Sequence, residues 1–177
     1  RVVHHPKEPV VILLGGVKLE TKAPVILNLA KKTESFLLGG GVANLFLKAR
    51  GFEIGKSVSD IKEEAVAKQI LRDHADRVKL PVDVVVSTAV DGPAACVPAD
   101  QVRPDQMILD IGPETIRSYS DALRQGQTLV WNGPMGYFEQ KQFSHGTYAL
   151  ARFFASRTRT EVFGVAGGGE TLEVIDR

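Results

Sequence analysis

The sequence of 177 residues is poor in cysteine, net charge and long apolar runs, and each shortage excludes a class of protein. Its single cysteine, Cys96, cannot form an intrachain disulfide, which excludes a disulfide-rich secreted scaffold and favours a reducing, cytoplasmic location. We expect this lone thiol to be a small buried residue rather than a nucleophile. Lysine and arginine number 22 against 21 acidic residues, so a net charge of +1 offers no surface for nonspecific nucleic-acid binding.

The longest apolar run, Val10–Leu14, is too short to span a membrane. No signal peptide opens the chain, which begins at Arg1 rather than methionine, so we expect a piece of a longer protein. Hydrophobic residues make up 44% and charged residues 24%, an ordinary globular composition. Neither nucleic acid nor a membrane is therefore expected as a partner. We also expect the chain to be a monomer.

Short, nearly continuous apolar runs alternate with amphipathic helical patterns along the chain. Buried parallel strands and crossover helices produce this alternation, and Asp110–Gly126 is long enough for one such crossover. The segment Thr88–Pro104 has no clear period and is predicted to be a loop. Residues 1–177 are thus predicted to form one α/β domain: a doubly wound, Rossmann-like parallel sheet of about six strands with helices on both faces. The predicted strands are Pro9–Leu14, Ser35–Leu38, Arg77–Leu80 with Val82–Ser87, Met107–Ile111, Gln127–Trp131 and Glu161–Val165.

Glycine is well represented, with 17 residues, and four groups of glycines directly follow predicted strands. The carboxyl ends of parallel strands meet at one edge of a sheet, where ligands bind. Glycines at that edge let the backbone approach a ligand, and the helices that follow direct N–H groups at an anion. The pattern predicts a nucleotide or another phosphorylated ligand. The groups are Gly15-Gly16, Gly39-Gly40-Gly41, Gly133 with Gly136, and Gly167-Gly168-Gly169.

Two phosphate-binding motifs are imitated but not matched. Residues Gly39–Asn44 begin like a dinucleotide fingerprint, yet Asn44 stands where the third glycine belongs. Residues Gly51–Ser57 imitate a P-loop but have three residues between the glycines, where about four are needed. An NAD-dependent dehydrogenase shares the predicted architecture but lacks the intact fingerprint, so it stays a minor alternative.

Six segments, in one order along nearly the whole chain, resemble motifs of the phosphoglycerate kinase family. The stretch WNGPMGYFE within the fifth is highly specific, and the last resembles the family's GGGD[TS]. The segments are Gly15–Lys22, Leu38–Lys48, Leu80–Asp83, Leu109–Pro113, Val130–Glu139 and Gly167–Thr171.

The resemblance is to the family's carboxy-terminal, nucleotide-binding domain. It implies a phosphotransferase with a carboxyl-group acceptor, which in glycolysis moves a phosphoryl group reversibly from 1,3-bisphosphoglycerate to MgADP, giving ATP and 3-phosphoglycerate. ADP or ATP and Mg²⁺ are therefore the expected substrate and metal. The amino-terminal domain that holds 3-phosphoglycerate and the final glycine-rich segment have no counterpart here, so we expect the chain alone to be inactive.

The resemblance also implies roles for individual residues. Lys22 would be the catalytic residue that stabilises the transferring phosphoryl group, with Lys18 on the nucleotide phosphates, and their spacing places both on one face of a helical turn. Asn132 would contact phosphate, Glu139 the ribose hydroxyls, and Thr171 would cap the helix that follows it. The remaining nucleotide-binding candidates are Gly16, Val17, Gly40, Gly41, Ile108, Leu109, Gly133, Pro134, Gly136, Gly168, Gly169 and Glu170.

Three positions depart from the family pattern. Glu170 replaces the aspartate that approaches the nucleotide-bound Mg²⁺, so its extra methylene must be accommodated at that metal. Ile108 replaces a glycine, and its branched side chain is expected to narrow the adenosine pocket. Val17 replaces the commoner alanine. These departures keep a second hypothesis open: a divergent, non-catalytic module for nucleotide binding or protein interaction.

Overall fold

The structure is a computed structural model and describes residues 6–159 and 162–176, without the side chains of residues 175 and 176. None of the described helices is long and apolar enough to cross a membrane. In chain order the elements are β1 (Val10–Leu14), α1 (Ala23–Leu29), β2 (Ser35–Leu38), α2 (Gly40–Ala49), α3 (Glu64–His74), β3 (Val78–Lys79), β4 (Asp83–Ser87), β5 (Ala95–Pro98), β6 (Met107–Ile111), α4 (Pro113–Gln125), β7 (Thr128–Asn132), α5 (His145–Thr158), β8 (Phe163–Gly167) and α6 (Gly169–Asp176).

The main sheet is parallel, with the strand order β3-β2-β1-β7-β8. Its central strand, Val10–Leu14, is buried along its whole length, which explains the continuous apolar run. The predicted fold class is confirmed, although the main sheet has five strands instead of about six. Glu161, where the last strand was predicted to begin, lies outside the described residues.

A second sheet has three antiparallel strands in the order β5-β4-β6, and it was not predicted. It corrects the predictions for two segments. The segment Thr88–Pro104 is not simply a loop, because it contains the exposed strand Ala95–Pro98. The run Met107–Ile111 is a strand, but it pairs with β4 and not with the parallel sheet. Strand β5 also exposes Cys96, so the prediction that this thiol is buried was wrong.

Helix α4 leads from the small sheet to β7, and so it does not cross over between neighbouring parallel strands as predicted. Pro113 occupies its first turn, where proline's fixed φ angle suits a helix. The Asp83 carboxylate accepts hydrogen bonds from the backbone N–H groups of Glu114 at 3.0 Å and Thr115 at 2.8 Å. This contact caps α4 and fixes the small sheet against the rest of the domain.

The main sheet separates two apolar clusters. In β1, Val10, Ile12 and Leu14 pack on the side of α1, α2 and α3, whereas Val11 and Leu13 pack with α4 and α5 on the other. This alternation is the packing of a doubly wound sheet. It leaves the loops at the carboxyl ends of the strands as the place where a ligand can approach.

Candidate functional site

The loops after β1 and β7 meet at the point where the strand order of the main sheet reverses. Gly15 N donates to Asn132 O at 2.9 Å, and Gly16 N donates to Pro134 O at 2.8 Å. Ligands of doubly wound sheets bind in the crevice at such a reversal. The structure therefore brings two of the predicted glycine groups to the expected position.

These glycines pack against one another. Gly133 has a φ of +92°, and a Cβ atom there would lie 2.5 Å from the carbonyl carbon and oxygen of Gly15. Gly40 has a φ of +58°, and its Cβ would lie 2.9 Å from Gly16 O. A side chain at Gly15 would overlap the Pro134 carbonyl oxygen. The absence of side chains thus lets the loops after β1, β2 and β7 assemble as one unit.

A polar cluster lies beside this assembly. Lys22 Nζ donates to Asn132 Oδ1 at 2.6 Å, although the two residues are far apart in sequence. Burial lowers the pKa of Lys22, while the nearby Glu170 carboxylate opposes that effect. A Cβ atom on Gly168 would lie 3.4 Å from Asn132 Oδ1, so the loop after β8 completes the cluster. We call Lys22, Asn132, Gly168 and Glu170 the polar cluster.

Two local expectations differ from the structure. Thr171 lies inside the first turn of α6, which begins at Gly169, so it does not occupy the capping position. Its buried hydroxyl oxygen instead accepts a hydrogen bond of 2.7 Å from Gly133 N and joins α6 to the loop after β7. Lys18 lies in an irregular, exposed segment, so it does not share a helical face with Lys22, the residue before α1.

Next to the polar cluster is a cleft of about 440 Å³. Its exposed rim is apolar over much of its length, with Val17, Val58, Val90 and Tyr137 all more than 39% exposed. The acidic residues Glu139 and Glu170 also line the cleft. The predicted site residues that line this cleft are Gly16, Val17, Gly40, Gly41, Ile108, Leu109, Pro134, Gly136, Glu139 and Glu170.

Strand β6 forms one wall of the cleft. Val85 pairs with Asp110 and Val86 with Ile108, so Leu109 is the extra residue of a β-bulge. The Leu109 carbonyl is free to accept a hydrogen bond of 2.7 Å from Tyr137 N in the loop after β7. Residues of both β6 and this loop therefore line the cleft, and the branched Ile108 side chain is among them.

Asp110 is a lining residue that sequence reasoning did not select. It is 1% exposed, and its carboxylate accepts hydrogen bonds from Ile111 N at 2.9 Å and Gly146 N at 2.8 Å. Burial raises the pKa of Asp110 to about 7, despite those two hydrogen bonds, which lower it. Asp110 thus fixes the start of α5 against the wall of the cleft.

The raised pKa of Asp110 predicts a pH effect on stability. The folded chain binds this proton more tightly than the unfolded chain does, so the free energy of unfolding should fall as the pH rises from about 4 to about 7. The contribution is at most about 4 kcal/mol. Urea unfolding of the wild type and of Asp110→Asn between about pH 4.5 and about pH 8 measures this change in the free energy of unfolding. If the free energy of unfolding of Asp110→Asn fell with pH as steeply as that of the wild type, Asp110 would not be the group responsible.

A metal held by the protein alone does not fit these residues. Among the described residues, no group of three or more histidine, cysteine or acidic side chains is placed to hold a metal ion. Mg²⁺ in nucleotide sites needs only one or two protein carboxylates because phosphates and water supply the other ligands. The exposed carboxylate of Glu170, in the polar cluster, fits that smaller requirement.

The remaining predicted residues, which include Lys18 and Gly169, do not line the cleft. Lys22, Asn132, Gly133, Gly168 and Thr171 form a connected group through the contacts above. Sequence reasoning missed the lining residues Asn44, Val58, Met107, Asp110 and Tyr137. Asn44 follows Gly41 by three positions on α2, so a shared helical face was a usable signal for it.

Comparison with known proteins agrees with this architecture. A family model described as phosphoglycerate kinase matches residues 1–177. Proteins named phosphoglycerate kinase from Deinococcus radiodurans and Nitratidesulfovibrio vulgaris are each 41% identical to the chain, covering 100% of it but 43% and 46% of their own lengths.

Solved structures give the same result. The phosphoglycerate kinase from Coxiella burnetii matches with a TM-score of 0.93 and 38% identity, over 99% of this chain and 46% of that one. The enzyme from Pyrococcus horikoshii matches with a TM-score of 0.87 and 30% identity, over 99% and 45%. The chain spans less than half the length of these relatives. On its full-length match, its fold and its strand-end glycines, the chain belongs to the phosphoglycerate kinase family.

Proposed function

We propose that this chain is the carboxy-terminal, nucleotide-binding domain of a phosphoglycerate kinase. The reaction would be the reversible transfer of a phosphoryl group from 1,3-bisphosphoglycerate to MgADP, with the acyl phosphate held by an amino-terminal domain. The observation that carries the proposal is the meeting of an apolar cleft with the polar cluster at the reversal of strand order. A ligand that fits both has an apolar, flat part and an anionic part.

Each part of ADP has a complementary surface. The base would lie between the apolar rim residues and the β6 wall, and the ribose hydroxyls would donate to Glu139, which accepts through two oxygens. The phosphates would extend toward Lys22 and the loop after β8. Nothing lies within 4 Å of a Cβ atom placed on Gly167 or Gly169, so the backbone there is open to a ligand.

Lys22 is the group we assign to the transferring phosphoryl group. Phosphoryl transfer depends mainly on positioning and charge stabilisation, and Lys22 is held in place by its bond to Asn132. Lys18, four residues earlier in the same loop, would neutralise nucleotide phosphates from the solvent side. Mg²⁺ bound to the phosphates would supply further charge neutralisation, with Glu170 as the residue able to hold it.

Nucleotide titration tests the proposal. Calorimetric titration of the chain with MgADP should show binding in the micromolar range, and NADH should not bind. Absence of MgADP binding would favour the non-catalytic module, and binding of NADH without ADP would favour a dehydrogenase.

Kinase assays of the same preparation give a separate prediction. We expect no turnover of 1,3-bisphosphoglycerate with MgADP by the chain alone, because the proposed acyl-phosphate site belongs to the part of the relatives that this chain does not match. A coupled ATP-formation assay measures this, with an intact phosphoglycerate kinase as the positive control. Turnover by the chain alone would show that the residues of this domain suffice for both substrates.

A further inference from the structure

The turn that joins β4 to β5 forms one side of the cleft through Val90. We call residues 88–94 the rim turn, and the pairing of β4 with β5 does not extend into it. Two short-range hydrogen bonds close the turn on itself: Gly92 N donates to Ala89 O at 3.0 Å, and Ala89 N donates to Ser87 Oγ at 3.4 Å. These two contacts shape the rim turn but do not attach it to the rest of the domain.

The side chain of Gln142 attaches the rim turn to the loop after β7. Its Nε2 donates to Gly92 O at 2.9 Å and to Val90 O at 3.4 Å, across 50 and 52 positions of the sequence. Because Val90 lines the cleft, the second of these bonds holds the backbone of a lining residue directly. Gln142 therefore fixes how far the rim turn lies from the loop after β7.

Gln142 is itself held in place by its neighbours. Phe143, the next residue, is fully buried, and its N–H donates to Gln140 O at 2.9 Å beside the short 3-10 helix Lys141–Phe143. Three residues before Gln142 the same loop carries Glu139, which lines the cleft. The Gln142 amide thus joins two lining segments from distant parts of the chain, and the anchored segment holds the exposed one.

Open space next to the rim turn gives it room to move. A polar groove of about 510 Å³ lies between the turn and the start of α5, with Asp91 on one side and Lys141 and His145 on the other. All three of these residues are exposed. Because the groove is open, the rim turn can shift without displacing core side chains. Exposed backbone hydrogen bonds and few buried apolar contacts are the features of segments that open locally.

We infer that Gln142 is a positioning residue for ligand retention: its side-chain amide holds the rim turn against the loop after β7 and so keeps Val90 at the cleft while a ligand is bound. The inference rests on the proposed function, because it takes MgADP as the ligand of this cleft. When the amide releases the two carbonyls, the rim turn moves away and the bound ligand dissociates more readily. Loss of these hydrogen bonds should therefore weaken MgADP binding and make the rim turn open more often.

Gln142→Glu and Gln140→Glu are a matched pair of variants that test the inference. Both add one negative charge to the same short segment, but Gln142→Glu also replaces the donor with an oxygen that repels the two carbonyls of the rim turn. Gln140 is exposed, lines the polar groove, and has a side chain with no hydrogen bond to any residue that the structure describes. Calorimetric titration should show MgADP affinity about fivefold lower in Gln142→Glu than in Gln140→Glu, the size of one neutral hydrogen bond.

Hydrogen exchange gives a second readout that needs no nucleotide. In the unliganded protein, the amides of residues 88–94 should exchange about fivefold faster in Gln142→Glu than in the wild type, and at the wild-type rate in Gln140→Glu. The amides of β1, at the centre of the main sheet, should be unchanged in both variants. Partial unfolding would instead raise exchange throughout the domain, and it would lower the number of MgADP sites rather than their affinity.

Two results would overturn the inference while leaving the proposed function intact. One is equal MgADP affinity in Gln142→Glu and Gln140→Glu, which would show that holding the rim turn does not retain the ligand. The other is unchanged exchange of residues 88–94 in Gln142→Glu, which would show that the amide does not hold the turn. Failure of the wild type to bind MgADP would refute the proposed function itself, and the retention of that ligand with it.

Discussion

Gly133→Ala is expected to destabilise the domain by about 3–5 kcal/mol, the sum of a left-handed backbone conformation and a steric overlap. The native φ of +92° is unfavourable for any residue with a Cβ atom. That atom would also lie 2.5 Å from the backbone of Gly15, which β1 holds in the centre of the sheet. Neither loop can withdraw without breaking the hydrogen bonds between them.

Gly51→Ala is the matched control for this substitution. Gly51 has a φ of +95°, but nothing lies within 4 Å of a Cβ atom placed there. Its replacement should therefore cost only the conformational part, about 1–2 kcal/mol. Urea unfolding monitored by circular dichroism measures both variants, and equal losses would show that the contact between the two loops contributes nothing.

Lys22→Met is expected to lower the affinity for MgADP by about 30–100-fold, the usual effect of removing a charged hydrogen-bond partner from an anion. Methionine retains much of the aliphatic length of lysine but cannot donate to phosphate. The partly buried Lys22 ammonium is held in position by its hydrogen bond to Asn132. Calorimetric titration of the variant gives the change directly.

Two comparisons separate a phosphate contact from a general disturbance of the site. Adenosine, which has no phosphates, should bind the wild type and Lys22→Met within about threefold of each other, less than the effect of one lost hydrogen bond. Lys31→Met removes an exposed lysine that lies just before the amino end of β2, whereas the candidate site lies at the carboxyl ends of the strands. This substitution should leave MgADP binding unchanged. A parallel loss of adenosine and ADP affinity in Lys22→Met would contradict the phosphate assignment.

The parallel part of the fold was predictable because its cause is local. Val10–Leu14 and Ser35–Leu38 are continuous apolar runs, as strands covered on both faces must be, and the glycines that follow them mark their carboxyl ends. The small sheet was not predictable in this way. Strand Ala95–Pro98 is mostly exposed and lacks an apolar pattern, so its pairing with β4 depends on contacts distant in sequence.

The residues of the candidate site also differ in whether local sequence or distant contacts identify them. Residues in strand-end motifs, such as Lys22 and Glu139, could be selected because motif and position agree. Asp110 lay within a recognised motif, but its role depends on burial and on Gly146, which one-dimensional patterns do not report. Val58 carries no signal in the sequence; it lines the cleft, and its carbonyl accepts a hydrogen bond from the Asn44 side chain, a contact between residues 14 apart in sequence.

The hydrogen bonds between the loops also bear on how slowly their amides exchange with solvent. Gly15, Gly16 and Tyr137 lie just outside regular elements, and Gly40 is the first residue of α2. Each nevertheless donates its N–H to a neighbouring loop or strand, at 2.7–2.9 Å. Their hydrogens should exchange with the cooperative opening of the sheet rather than at the rate of loops. A ligand would then find the crevice already ordered and would lose little free energy to fixing the backbone.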